Sequence, residues 1–459
     1  MADAPQAVVL AAGRGTRMRS RTPKALHPLA GRPLLLHVVA AATEAAASPP
    51  LVVVSPGQPE VAAALSGLAA TTEQAEPRGT GDALRSVPEA LRSTGPVLVL
   101  SGDTPLLRAE TLAALLRRQA ETGAACVVLG VVPADPRGLG RLVRAPDGRV
   151  ARIVEERDLV PGEPVPPDCN AGAYAFDGAR LWPALDHLGS DNAQGERYLT
   201  DVVELLGGGE AVIAPDPEEA LGVNDRSQLA TAEAVLRRRT LEALMLGGVT
   251  VEDPVTTYVD PEVRVGRDSV LLPMTVLRGA TTLGEGCVVG PMAQLRDVRA
   301  GDRVRIGAST LEECDLGDDV VVGQYDRLRP GTTLDAGVYV GTHAEVKNSR
   351  VGAGTHISHF SCVLDSDVGS HVNVGAGTVT CNYDGEGKHR TVIGDGAFIG
   401  TDASLVAPVR VGSGAYVAAG SVITRDVPDG ALAVERSRQV VVEGWAEGRR
   451  GRGTRAGAR

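Results

Sequence analysis

Two different hydrophobic periods divide the chain. Up to about residue 225, short apolar runs alternate with longer Ala- and Leu-rich stretches. Ala7 to Leu10, Leu51 to Val54, Val97 to Leu100 and Ala125 to Val132 read as strands, and Leu34 to Ala47 and Glu110 to Ala120 as helices. Strands alternating with helices predict a mostly parallel sheet with helices on both faces, so residues 1–225 form one α/β domain. Ser227 to Leu246 reads as a further helix, with Leu236, Thr240, Ala243 and Leu244 on one face, and 226–249 is assigned to a linker helix.

From about residue 250 the period becomes six. Ile393, Ile399, Leu405, Val411, Val417 and Ile423 follow one another at intervals of six, and Gly394, Gly400 and Gly412 each come directly after one of them. A period of two would mean ordinary strands and 3.6 a helix. A period of six with glycines means one flat face per repeat, three repeats per triangular coil, and coils stacked into a parallel β-helix over 250–440. Residues 441–459 form a C-terminal segment. Its last part, Gly448 to Arg459, holds five arginines, no acid and no apolar cluster, and reads as disordered.

Composition narrows the class. Gly makes up 56 of 459 residues, about 12% against a usual ~7%, without the strict Gly-X-Y period of collagen. Aromatics are only 3%, so the cores must be aliphatic. The formal net charge of −11 argues against a general nucleic-acid binder, and none is expected as a partner. Six scattered cysteines with no CxxC pair read as free thiols of a reducing cytoplasm. Met1 to Gln6 lacks a basic flank before an apolar stretch, and no apolar run reaches the ~20 residues of a membrane span.

The first candidate chemistry is Leu10-Ala-Ala-Gly-Arg-Gly-Thr-Arg-Met18 with Pro23-Lys24. A strand ends at Leu10 and the chain turns through Ala11, Ala12, Gly13 and Gly15. Small residues there let backbone N–H groups approach phosphate oxygens. Arg17 can make a forked contact and Lys24 acts as a point charge. Neither GK[ST] nor GxGxxG is present, so this is neither a Walker loop nor a dinucleotide fingerprint. Asp103, in Leu98-Val-Leu-Ser-Gly-Asp103, sits at the end of an apolar strand, where ligands of open α/β sheets collect, and is a good oxygen ligand for Mg2+.

LAAGRGTRM followed by PK resembles the sugar nucleotidyltransferase superfamily. Within it, residues 6–447 are similar to the bacterial bifunctional family that joins a uridylyltransferase to an acetyltransferase on a β-helix. The resemblance implies a Rossmann-like nucleotidyltransferase domain followed by a left-handed β-helix of hexapeptide repeats. It implies acetyl-CoA-dependent acetylation of glucosamine 1-phosphate, then Mg2+-dependent coupling of N-acetylglucosamine 1-phosphate to UTP with release of pyrophosphate. It also implies a homotrimer. In its frame, Leu10, Ala11, Ala12, Gly13 and Lys24 hold the nucleotide, with Arg17 and Lys24 clamping phosphates. Gln74 reads the uracil, with Gly79 and Thr80 beneath it; the family often has His where Asp82 follows. Asp103 and Asn224 share the metal. Gly140, Glu155, Asn170 and Asn224 line the amino-sugar pocket, and 192–201 resembles a loop flanking the substrate.

In the second half the same resemblance makes His359 the base that takes the proton of the glucosamine amine, a task suited to an imidazole. Arg329, Lys347, Cys362, Asn373 and Lys388 would hold the sugar phosphate. Asn382, Tyr383, Thr401, Ala419 and Arg436 would contact acetyl-CoA, the first two from the loop that CNYDG opens by breaking the hexad. The irregular spacing of His343, His356, His359 and His371 defines no closed metal site. Two positions depart from the family: Cys362 replaces Tyr, losing a phenol donor, and Thr342-His343 replaces Asn-Phe or Thr-Phe. Two other readings stay open on sequence grounds. One is a single-activity sugar-1-phosphate nucleotidyltransferase whose β-helix serves trimerisation. The other is a β-helix scaffold carrying a ligand-sensing domain.

Overall fold

A computed structural model describes residues 4–13, 15–160, 166–447 and 449. The arginine-rich end, 448 and 450–459, lies outside them. The chain divides into two compact units, Met1–Thr240 and Leu241–Arg459.

The first unit is built on a sheet containing β1 (Gln6–Leu10), β2 (Leu51–Val54), β3 (Ala70–Glu73), β4 (Pro96–Ser101), β5 (Cys126–Val131), β6 (Arg141–Arg144), β7 (Val150–Val154), β8 (Cys169–Asp177) and β9 (Glu210–Ile213). Its order is β9-β5-β8-β4-β1-β2-β3, with β6 and β7 attached beside β8. The strands run parallel except for β8, which is antiparallel to both β4 and β5, and the β6–β7 ribbon. The apolar runs are continuous because both faces are covered. Val9, Val52, Leu98, Leu100 and Leu129 pack with α1 (Leu34–Ala46) and α3 (Ala109–Thr122) on one side. Val8, Val53, Val97, Val99 and Val128 pack on the other, with Leu84 of α2 (Thr80–Arg85).

Helix α4 runs from Arg226 to Leu246, and its buried stripe follows the spacing only in part: Leu236 packs against the first unit's core, Leu244 packs against the second's, and Thr240 is half-buried. Ala243 is exposed. In the first unit Ala232 and Val235 are buried with Leu29, Leu34, Leu106 and Val223. In the second, Leu241 joins the core. The face of a helix with so little amphipathic contrast is chosen by what packs on it.

The second unit is a left-handed parallel β-helix. Among the described residues its three faces are sheets of eleven, ten and nine short strands, each strand pairing in parallel with its counterpart in the next coil. Ile399↔Val417, Leu405↔Ile423 and Ile393↔Val411 show one register on each face. All six residues of the hexad run are buried, at most 5% exposed. The partner of Asn373 is Phe398, whereas that of Phe398 is Tyr416, so one coil is lengthened by the loop holding Asn382 and Lys388. The hexad glycines are needed for coil-to-coil approach rather than for turning. A Cβ on Gly394 would lie 2.5 Å from Ser413 N, and one on Gly400 would lie 2.5 Å from Ala419 N. No helix is long and apolar enough to cross a membrane among the described residues.

Candidate functional site

In the first unit the ends of β1 and β4 open onto two adjoining clefts. One is lined by Leu10, Ala11, Ala12, Gly13, Lys24, Gln74, Gly79 and Thr80, the full set assigned to the nucleotide from sequence. The other holds Gly140, Glu155, Asn170 and Asn224. Leu10, Thr80, Ser101 and Asp103 belong to both. Asp103 therefore stands where the two clefts meet, just past the carboxyl end of β4.

Several contacts assemble this junction. Gly102 N–H donates to Leu10 O at 2.8 Å and Val223 N–H to Asp103 O at 2.8 Å, which brings Asn224 beside Asp103. Lys24 Nζ lies 2.6 Å from Asp103 Oδ2 and 3.2 Å from Asn224 Oδ1. Arg17 Nη2 donates to the same Asn224 oxygen at 2.9 Å, and Ser101 Oγ donates to Asp103 Oδ1 at 2.8 Å. Burial alone would raise the Asp103 pKa. The Lys24 charge and the hydrogen bonds from Lys24 and Ser101 outweigh it and hold the carboxyl below its ordinary range. A carboxylate and an amide oxygen converging on one ammonium form a hard-oxygen pair. This donor set fits Mg2+, which takes few protein ligands and completes its shell with water and phosphate.

The sugar-side residues are tied to one another. Asn170 N–H donates to Gly140 O at 2.9 Å. Asn170 Nδ2 donates to Tyr174 Oη at 2.7 Å, while its Oδ1 accepts from Gly172 N–H at 3.1 Å. Thr200 Oγ1 donates to Glu155 Oε1 at 3.1 Å. Burial pushes the Glu155 carboxyl above its ordinary range, against that hydrogen bond. Thr200, from the segment 192–201 that resembles a substrate-flanking loop, lines this cleft; Tyr174 lines it too yet carried no sequence signal of its own, because a strand Tyr is common and only the sheet register places it here. Arg197, in the same segment but given no role of its own by the sequence, pairs with Asp82 at 3.0 Å.

In the β-helix the assigned residues separate onto two edges of one face. The face carries Glu345–Lys347 and Cys362–Leu364, paired Glu345↔Cys362 in register. At one edge Arg329, Lys347 and Lys388 converge. Contact with Lys388 and its like charge, together with the charge of Arg329, push the Lys347 ammonium below the ordinary lysine range. Asp365 sits beside them and accepts from Asn348 and Asn382, and Arg329 Nη1 reaches Glu345 Oε1 at 2.8 Å. Asn382 is thus committed to Asp365, and the Tyr383 hydroxyl donates to Gly385 O at 2.6 Å.

At the other edge lie His359, Thr401 and Ala419. Gly377 N–H donates to His359 O. Asp402 N–H donates to Ala376 O and Gly420 N–H to Thr401 O, so the three assigned residues follow one edge from coil to coil. Arg436 Nη1 donates to Ala419 O at 3.2 Å. Cys362, half-buried, lies on the face between the two edges. Asn373 does not join them; it pairs with His356 and Phe398 on the neighbouring sheet. The unusual His343 stacks between Tyr325 and Phe360, at ring separations of 5.0 and 5.2 Å, in an aromatic ladder along the His359 edge.

Residues 7–204 match the MobA-like NTP transferase domain, and residues 390–425 the bacterial transferase hexapeptide of six repeats. The chain is 48% identical to the bifunctional protein GlmU of Thermobifida fusca, over 98% of this chain and 96% of that one. It is 46% identical to GlmU of Heliobacterium modesticaldum, over 98% and 99%, and 46% identical to GlmU of Streptomyces avermitilis, over 96% and 94%. With a nucleotidyltransferase unit, a hexapeptide β-helix and this likeness along nearly its whole length, the chain belongs to the GlmU family of bifunctional transferases.

Proposed function

We propose how the chain, a bifunctional uridylyltransferase and acetyltransferase, divides its chemistry among its residues. In the first unit UTP occupies the cleft of Leu10, Ala11, Ala12, Gly13, Gln74, Gly79 and Thr80, and N-acetylglucosamine 1-phosphate the cleft of Gly140, Glu155 and Asn170. Asp103 and Asn224 would hold Mg2+, which when bound would supply charge neutralisation for the phosphates of UTP and of the sugar phosphate. Arg17 and Lys24 neutralise the rest and orient the phosphates. The sugar phosphate oxygen attacks the α-phosphorus of UTP in line, and pyrophosphate leaves opposite it. No covalent protein intermediate is needed, so catalysis is positioning and electrostatics. The observation that carries this reading is the sharing of Asp103 by the two clefts, since the reacting atoms of two substrates must meet at one point.

In the second unit the glucosamine amine attacks the acetyl thioester carbonyl, His359 takes the amine proton, and the thiolate of coenzyme A leaves. Arg329, Lys347 and Lys388 bind the sugar phosphate at one edge of the face and His359 works at the other, with Cys362 between. Thr401, Ala419 and Arg436 line the acetyl-CoA side; Asn373, Asn382 and Tyr383 complete the set. The active form is a cytoplasmic homotrimer in which neighbouring chains close these clefts and bring Asn373 into them. An apolar ridge supports this: Met274, Met292, Tyr325 and Phe360 are exposed along the His359 edge, Phe360 at 62%.

The test assays both half-reactions separately against a panel of sugar phosphates and nucleotides, with Mg2+ present or chelated, alongside the mass in dilute solution. Mg2+-dependent UDP-N-acetylglucosamine formation and acetylation of glucosamine 1-phosphate by a trimer are expected. Preference for another sugar phosphate, or full activity of a monomer, overturns the corresponding assignment.

A further inference from the structure

The Gln74 side chain is 6% exposed, and its Nε2 donates to Gly79 O and to Asp82 Oδ2, both at 3.2 Å. A carbonyl and a carboxylate only accept. Both amide hydrogens are therefore committed, and the amide cannot turn over without setting oxygen against oxygen. The remaining polar atom, Oε1, is an acceptor in the wall of the nucleotide cleft.

Asp82 is itself held. Its Oδ1 accepts from Arg197 Nη1 at 3.0 Å. Arg197 is pinned through its backbone: its N–H donates to Arg78 O at 2.8 Å, and its carbonyl accepts from Gly81 N–H at 2.9 Å. Gly79 admits this approach, since a Cβ there would lie 2.4 Å from Arg197 O. The next link, Leu199 N–H to Thr80 Oγ1 at 3.0 Å, fastens the same two segments.

We infer that Asp82, braced by Arg197, is a positioning residue that fixes the Gln74 amide with its oxygen toward the base. The nucleotide cleft then selects a pyrimidine with an imino N–H, as in UTP, over one with a lone pair there, as in CTP. This rests on the placement of the base against Gln74 made above. Uracil N3–H meets an acceptor, whereas cytosine N3 would face one. Without the carboxylate only the Gly79 carbonyl still opposes a turned amide, so the NH2 is presented to cytosine at lower cost and the rejection weakens.

The experiment measures kcat/KM for UTP and CTP with the full-length Asp82→Ala, Asp82→Asn and Gln74→Ala proteins, with thermal melting and kcat for UTP as folding readouts. Asp82→Ala is expected to lower the UTP-over-CTP ratio by roughly 10-fold or more, mostly through KM. Asp82→Asn keeps the shape but can donate to Gln74 Oε1, and so lowers the ratio too; it decides the matter if the Ala variant does not fold. Gln74→Ala must also collapse the ratio, and adding Asp82→Asn to it must change the ratio no further. A wild-type ratio in both Asp82 variants, with Gln74→Ala collapsed, overturns the clamp alone. A wild-type ratio in Gln74→Ala overturns the placement of the base, and the clamp with it.

Discussion

Lys24 Nζ lies 2.6 Å from Asp103 Oδ2, joining the loop after the first strand to the end of the fourth. The ammonium also touches Asn224 Oδ1 at 3.2 Å, so one cation holds the two oxygens assigned to the metal. The depressed Asp103 pKa means that this pair adds stability above the ordinary carboxylate range, stability that is lost as pH falls through the lowered value.

Asp103→Ala removes the carboxylate from the junction of the clefts. Uridylyl transfer should fall by roughly 10^2-fold or more, while acetyl transfer persists. Separate assays of the two half-reactions check this. Equal loss of both in a folded protein would show that the two sites are not independent.

His359→Ala should depress acetyl transfer by ~10^2 to 10^4, the worth of a positioned base, with uridylyl transfer near its starting value. The deciding measurement is turnover at saturating glucosamine 1-phosphate and acetyl-CoA. Equal, substantial rates from wild type and variant would remove His359 from the mechanism.

Cys362 faces outward beside Glu345, between the cationic edge and His359. Cys362→Tyr restores a phenol donor over the face that the sugar would cross. The KM for glucosamine 1-phosphate should fall, by up to about 10-fold for one hydrogen bond. An unchanged or higher KM in a folded variant would mean that the sugar does not lie along this face.

Asp326 is 2% exposed, and its Oδ2 has no partner among the described residues. Burial pushes its carboxyl up to about 6, against hydrogen bonds from the Ala344 and Gly323 backbone. Because the folded value exceeds the unfolded one, the ionised form costs stability at neutral pH, and the cost fades as pH falls from about 6 toward 4. Asp326→Asn should raise the Tm at pH 8, by up to about 2–3 kcal/mol of stability, and leave it nearly unchanged at pH 4. Thermal melts across that range check the sign; a variant less stable at pH 8 than at pH 4, relative to wild type, would contradict it.

The β-helix was legible because each coil repeats one local rule: every sixth aliphatic must point inward, and Ile393 through Ile423 do. The first strand, its glycine turn and the apolar run ending at Asp103 were legible for the same reason. Strand burial and tight turns leave marks on consecutive residues. The reason for the hexad glycines was not legible, because the close contact of Gly394 with Ser413 belongs to the stacking of coils. The buried stripe of α4 was legible only in part, through Leu236 and Leu244, because its packing partners choose the rest. The resemblance implied that Asp103 and Asn224 meet at one site, but the contact of Lys24 with both, and the chain from Gln74 through Asp82 to Arg197, belong to tertiary structure. Each residue is an ordinary polar side chain in its own segment, and only the sheet order brings the segments within hydrogen-bond distance.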